Sequence, residues 1–139
     1  MTPTLARILY VEDQTDIQII ARMALVKRGG FEVRICSAGV DALAAAPAFA
    51  PDLLLLDVMM PGMDGPATLQ GLRALPGTAI TPAIFLTAKA EPQVNAELMA
   101  LGAIGVILKP FDAMTLADTV RALWAQHHGA AVRPGSQTR

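Results

Sequence analysis

The stretch Leu53-Leu54-Leu55-Leu56-Asp57-Val58-Met59-Met60-Pro61-Gly62-Met63-Asp64-Gly65 decides the fold. Four leucines ending in one carboxylate form a run too short for a helix and apolar on both faces, as a central strand of a parallel sheet must be. Pro, Gly, Asp and Gly within the next few residues are turn formers. Asp57 therefore stands at the carboxyl end of a buried strand, facing the loops. In open α/β sheets that edge is where ligands bind. Taken alone, Asp57 reads equally well as a residue that merely caps the loop.

Working outward, residues 5–11 read as a first strand ending in Glu12-Asp13, and residues 15–28 carry Ile17, Ile20, Ala21, Ala24 and Leu25 at helical spacing until Gly29-Gly30 stops them. Thr15 or Asp13 suits the N-cap. Residues 31–36 alternate, with Phe31, Val33 and Ile35 on one face and Glu32, Arg34 and Cys36 on the other, which fits an edge strand. An Ala-rich helix over 39–46 is closed by Pro47 and Pro51. Pro66 opens a third helix over about 66–75 with Leu69, Leu72 and Leu75 inward. A fourth strand at 83–87 ends in Thr87-Ala88-Lys89, and Pro92 starts a helix with Val94, Leu98 and Leu101 at helical spacing, stopped by Gly102. A fifth strand at 104–108 ends in Lys109-Pro110-Phe111, and a last helix from near Asp112 carries Leu116, Val120, Leu123 and Trp124. Five alternations of strand and helix predict an α/β fold with a doubly wound parallel sheet. The expected division is one domain over 1–126 and a flexible tail over 127–139, with His127 and His128 solvated.

At 139 residues the chain suits one domain with a real core. A net charge of −1 gives no field for nucleic acid or an anionic membrane. One cysteine, Cys36, cannot form an internal disulfide, and no apolar run approaches the ~18 residues of a membrane span. A cytoplasmic location is expected. The chain is 53% hydrophobic and only 17% charged, which a doubly covered sheet explains in part and a sticky partner surface could complete.

The strand ends collect Glu12 and Asp13, Asp57, Thr87 and Lys109. Three carboxylates within about 5 Å repel by roughly 3 kcal/mol per pair at an effective dielectric of 20. Either one takes up a proton or a cation neutralises them. Oxygen ligands with no His or Cys nearby select a hard cation, Mg²⁺ (or Mn²⁺). Asp57 can then act as nucleophile toward phosphorus. The Lys109 ammonium, and the Thr87 hydroxyl with the Ala88 backbone N–H, suit the remaining phosphoryl oxygens.

The motifs Val11-Glu12-Asp13, Leu56 through Gly65, Leu86-Thr87-Ala88 and Leu108-Lys109-Pro110-Phe111 together resemble the receiver domain of two-component response regulators, over about residues 5–126. The resemblance implies a flavodoxin-like (βα)5 single domain with strand order 2-1-3-4-5, an order for which a chemotaxis receiver is a known example. It implies that Asp57 accepts a phosphoryl group from a histidine kinase or phosphotransfer protein, without the chain being an enzyme in its own right. It also implies Glu12, Asp13, Asp57 and the Met59 backbone carbonyl around Mg²⁺, and a cis peptide before Pro110.

The sequence departs from the family at Val106, where receivers usually carry Tyr or Phe. A β-branched side chain cannot swing as a ring does, so the signal is expected to leave through the loops after Asp57 and Thr87. Met59 and Lys89, flanking the phosphoryl position, are candidates for tuning its lifetime. No basic segment of helix-turn-helix length follows Trp124, so the expected output is a downstream protein target or a homodimer through the fourth and fifth helices, where Ala96, Ala100, Ala117 and Ala122 lie off the core. Excision from a larger regulator or hybrid kinase is the alternative. A haloacid-dehalogenase-like phosphatase needs a second Asp where Met59 stands, and a flavodoxin would bring its phosphate against Glu12 and Asp13.

Overall fold

The computed structural model describes residues 3–129. Five parallel strands, β1 (Arg7–Val11), β2 (Glu32–Cys36), β3 (Leu53–Asp57), β4 (Ala83–Thr87) and β5 (Gly105–Leu108), lie in the order β2-β1-β3-β4-β5. The helices between them are α1 (Thr15–Arg22, running on as π-helical turns over Met23–Arg28), α2 (Gly39–Phe49), α3 (Gly65–Arg73), α4 (Pro92–Ala100) and α5 (Leu116–His128). This is the flavodoxin-like doubly wound sheet, in one domain.

Each strand sends alternate side chains to opposite faces. Ile8, Tyr10, Leu53, Leu55, Ile84, Leu86 and Ile107 meet α1 and α5 in one core. Leu9, Val11, Leu54, Leu56, Ala83 and Phe85 meet α2, α3 and α4 in the other. All five residues of β3 are buried, which is why that strand reads as an unbroken apolar run. At the amino edge, Asp52 Oδ2 accepts from the N–H groups of Ala6 (3.0 Å) and Arg7 (2.8 Å), and the Arg7 side chain donates to the carbonyls of Phe49 and Ala50. The indole N–H of Trp124 donates to the Pro3 carbonyl at 3.0 Å.

Several local expectations are corrected. α2 runs through Pro47 to Phe49 and ends where Ala50 takes a left-handed φ of 52° ahead of Pro51. The Pro47 ring is exposed near the helix end. Gln14, not Thr15 or Asp13, occupies the α1 N-cap, and it makes no side-chain cap bond. Asp13 is turned toward the carboxyl edge of the sheet instead. Ile20 and Leu101, which share the helical spacing of the buried Ala24 and Leu98, are themselves exposed. Ala117 is buried in the α1/α5 core, not on an open face. α5 includes His127 and His128, with His128 Nδ1 3.1 Å from the Trp124 carbonyl, so the helix passes the boundary expected at residue 126. Residues 130–139 of the expected tail lie outside the described residues.

Candidate functional site

Strand alternation delivers the site. Tyr10 and Glu12 continue the α1/α5 face of β1, Asp57 continues that face of β3, and Lys109 continues that face of β5. The register sets Val11 beside Leu56 and Asp57 beside Leu86, so the carboxyl ends of β1, β3 and β4 come out level. Beyond Asp57, Gly65 N–H donates to the Val58 carbonyl at 2.9 Å and closes the loop. A Cβ on Gly65 would collide with the Asp57 carbonyl oxygen and lie 2.9 Å from Val58 Cα, so only glycine allows α3 to start this close to the strand. Asp64 caps α3, accepting from Ala67 N–H at 2.9 Å.

Glu12 is 0% exposed and Asp57 3%. One ligand oxygen from each of Glu12, Asp13 and Asp57 lies within 4.8 Å of the others. Lys109 Nζ stands 3.2 Å from both Glu12 Oε1 and Asp57 Oδ1. Each of those contacts is worth about 5 kcal/mol of Coulomb attraction at an effective dielectric of 20, before desolvation. One ammonium against three carboxylates still leaves a formal charge of two minus when all are ionised. Burial, reinforced by the charge of Glu12 and opposed by Lys109, pushes the Asp57 carboxyl up to about 6. Burial pulls the Lys109 ammonium down, but Asp57 and Glu12 together outweigh it and hold it above its ordinary value.

A hard divalent cation fits these residues. Asp13 Oδ1 is buried without a hydrogen-bond partner, which a carboxylate oxygen does not ordinarily tolerate. An oxygen-only donor set with two uncompensated charges is what Mg²⁺ takes. Glu12, Asp13 and Asp57 are the side chains that would hold it.

Thr87, Met59 and Lys89 make no side-chain hydrogen bond or ion pair with this cluster. Thr87 is buried at the end of β4 and its Oγ1 accepts from Lys89 N–H at 3.1 Å. Ala88 and Lys89 are exposed in the loop after it. Met59 is 66% exposed. Val106 is half-buried and lines a pocket of about 170 Å³ with Thr87, Lys89, Ala90, Asn95 and Leu108. The Lys109–Pro110 peptide is cis. Sequence reasoning missed Tyr10, whose hydroxyl donates to Glu12 Oε1 at 3.0 Å, and Gln18, whose Nε2 donates to the Glu12 carbonyl at 2.6 Å. Tyr10 could have been found from its position two residues before Glu12, on the same face of one strand. Burial first, then the charge of Glu12, raises the phenol far above its usual range and keeps it a donor.

A sequence model of the response regulator receiver domain matches residues 8–121. The chain belongs to that family. The receiver is 35% identical over 130 residues to the transcriptional regulatory protein CseB of Streptomyces avermitilis, covering 94% of this chain and 53% of that protein. It is 38% identical over 117 residues to the DNA-binding response regulator MtrA of Mycobacterium tuberculosis, covering 84% and 49%. It thus spans about half the length of these curated relatives. Among solved structures, the chemotaxis protein CheY4 of Vibrio cholerae superposes with a TM-score of 0.79 at 32% identity, over 86% of this chain and 99% of that one. No helix among the described residues is long and apolar enough to cross a membrane.

Proposed function

We propose that this receiver is the phosphoacceptor of a two-component phosphorelay, taking a phosphoryl group from a phosphohistidine of a histidine kinase or phosphotransfer protein onto Asp57. The observation that carries this is the buried Asp57 carboxylate, in contact with Lys109 and within 4.8 Å of the ligand oxygens of Glu12 and Asp13. An oxygen of Asp57 attacks phosphorus, the bond from phosphorus to the donor imidazole nitrogen breaks, and the imidazole leaves with the electron pair and is reprotonated. With its carboxyl near 6, Asp57 is mostly ionised at neutral pH and available as nucleophile. Glu12, Asp13, Asp57 and the Met59 carbonyl would hold Mg²⁺ or Mn²⁺, which when bound would supply charge neutralisation to the acids and to the transferred group. Lys109 turns from its carboxylate partners to the phosphoryl group, and the Thr87 hydroxyl and Ala88 N–H bind another of its oxygens.

The output is protein binding. Met99, Leu101 and Leu108, exposed on α4, the residue after it and β5, suit a partner or a second copy of the chain. Mass measurement after incubation with Mg²⁺ and acetyl phosphate tests the assignment. A phosphoryl mass gain in wild type, abolished in Asp57→Ala, is expected; a gain that survives in Asp57→Ala overturns it.

A second reading, the receiver portion of a longer regulator, is favoured by the half-length match to CseB and MtrA. The length of the native open reading frame decides between the two.

A further inference from the structure

Glu12 is the one wholly buried member of the acidic cluster, and its carboxylate is heavily used. Oε1 accepts from both the Tyr10 hydroxyl, at 3.0 Å, and Lys109 Nζ, at 3.2 Å. Oε2 accepts from Gln14 N–H at 3.3 Å. Lys109 is shared, since Asp57 Oδ1 holds the same nitrogen at 3.2 Å. Any step that calls Lys109 away would strip one donor from a carboxylate with no access to water. A buried carboxylate left short of donors is costly.

Tyr10 answers that need with a neutral donor. Its ring is wholly buried in the α1/α5 core, packed among Ile8, Leu55 and Ile84, so the hydroxyl cannot swing away as a lysine can. We infer that Tyr10 is a positioning residue: it holds Glu12 through Oε1 so that Lys109 is free to leave when a divalent cation, and then a phosphoryl group, arrives. Without the hydroxyl, Glu12 has only the Lys109 ammonium to satisfy Oε1. That ammonium then stays inside the cluster and opposes the incoming cation. The inference rests on the phosphoacceptor reading above.

Tyr10→Phe is nearly isosteric and removes only the hydroxyl. Calorimetric titration of the unphosphorylated protein with MgCl₂ is the test. Partners behind metal ligands typically contribute 10–100-fold to metal affinity, so a rise of about tenfold in the Mg²⁺ Kd is expected for Tyr10→Phe. In a Glu12→Asp background the shorter carboxylate draws back from the phenol, and the further change on Tyr10→Phe should fall below about twofold, the coupling expected of contacting residues. An unchanged Kd in the single variant, or an equal change in both backgrounds, overturns the inference while leaving the phosphoacceptor reading intact. Absence of Mg²⁺ binding by wild type overturns both.

Should Tyr10→Phe not fold, the native chain still tests the point, because Tyr10 is its single tyrosine. Uniform incorporation of 3-fluorotyrosine gives one fluorine resonance. It should shift with Mg²⁺, saturating at the calorimetric Kd, as Lys109 leaves Oε1 and the phenol becomes its one remaining donor. A resonance indifferent to saturating Mg²⁺ overturns the inference.

Discussion

The two faces of the sheet meet its carboxyl edge in opposite ways. On the α1/α5 face, Tyr10, Glu12, Asp57 and Lys109 form a closed set of contacts between 3.0 and 3.2 Å. On the α2–α4 face, Thr87 accepts from the backbone of Lys89, and beside it Val106 borders a pocket of about 170 Å³. One side is tightly specified by charge and the other is loosely filled. On the phosphoacceptor proposal, the tightly bonded cluster would fix where the phosphoryl group sits, while the slack packing would leave the neighbouring loop and α4 room to respond to it. The position where receivers usually place a ring is where this chain leaves room.

Breaking the tight side should have the largest effect. Lys109→Met strands two buried carboxylates, and without divalent cation at pH 8 it should cost about 3 kcal/mol in urea unfolding, near the lower end for breaking a buried ion pair because Lys109 is partly exposed. Millimolar Mg²⁺ should restore most of that loss. A loss that Mg²⁺ does not touch would mean that Lys109 holds something other than the acids.

The second test uses pH. Without metal, Asp57 binds its proton more tightly folded, at about 6, than the ordinary 3.8. Its contribution to stability is therefore full below about pH 4 and is lost as pH rises through about 6. Asp57→Asn lacks that loss, so it should be more stable than wild type by about 3 kcal/mol at pH 8 and no more stable at pH 4. Equal stability at both pH values would remove the charge strain from the tight side.

On the loose side, Val106→Tyr should change stability by less than about 1 kcal/mol, because open space lies beside it. It should instead make amide exchange in residues 88–95 depend on phosphorylation. Exchange already as phosphorylation-dependent in wild type would erase the contrast between the faces. The smallest effect belongs to Met59→Asn. Exchanging the exposed apolar side chain two residues after the acceptor for one that can orient water should speed loss of the phosphoryl group about threefold, some 0.7 kcal/mol. The same assay on Lys89→Ala tests the other tuning candidate.

The sheet and most of the site were legible because each functional residue follows a short apolar run at once. Asp57 after four leucines, Thr87 after Ile84-Phe85-Leu86 and Lys109 after Val106-Ile107-Leu108 announce their own positions. Which face each residue joins was also implicit in strand alternation. What stayed hidden depends on packing. Tyr10 reads as one more apolar strand residue until Glu12 is seen above it. Leu101 fits the helical spacing of α4, but that helix buries only Leu98, so spacing alone misplaces its end. Pro47 ordinarily stops a helix, yet here it falls within the last turn and its ring faces solvent. Ala117 has too small a side chain to reveal from sequence whether it meets water or the Gly29 turn.

The indole of Trp124, bonded to Pro3, lies at the far end of the sheet from Asp57. It is the chain's one tryptophan. Its fluorescence should therefore report melting of the scaffold while staying dark to ion loading, giving the spectroscopist a clean baseline against which every change at the acidic edge can be read.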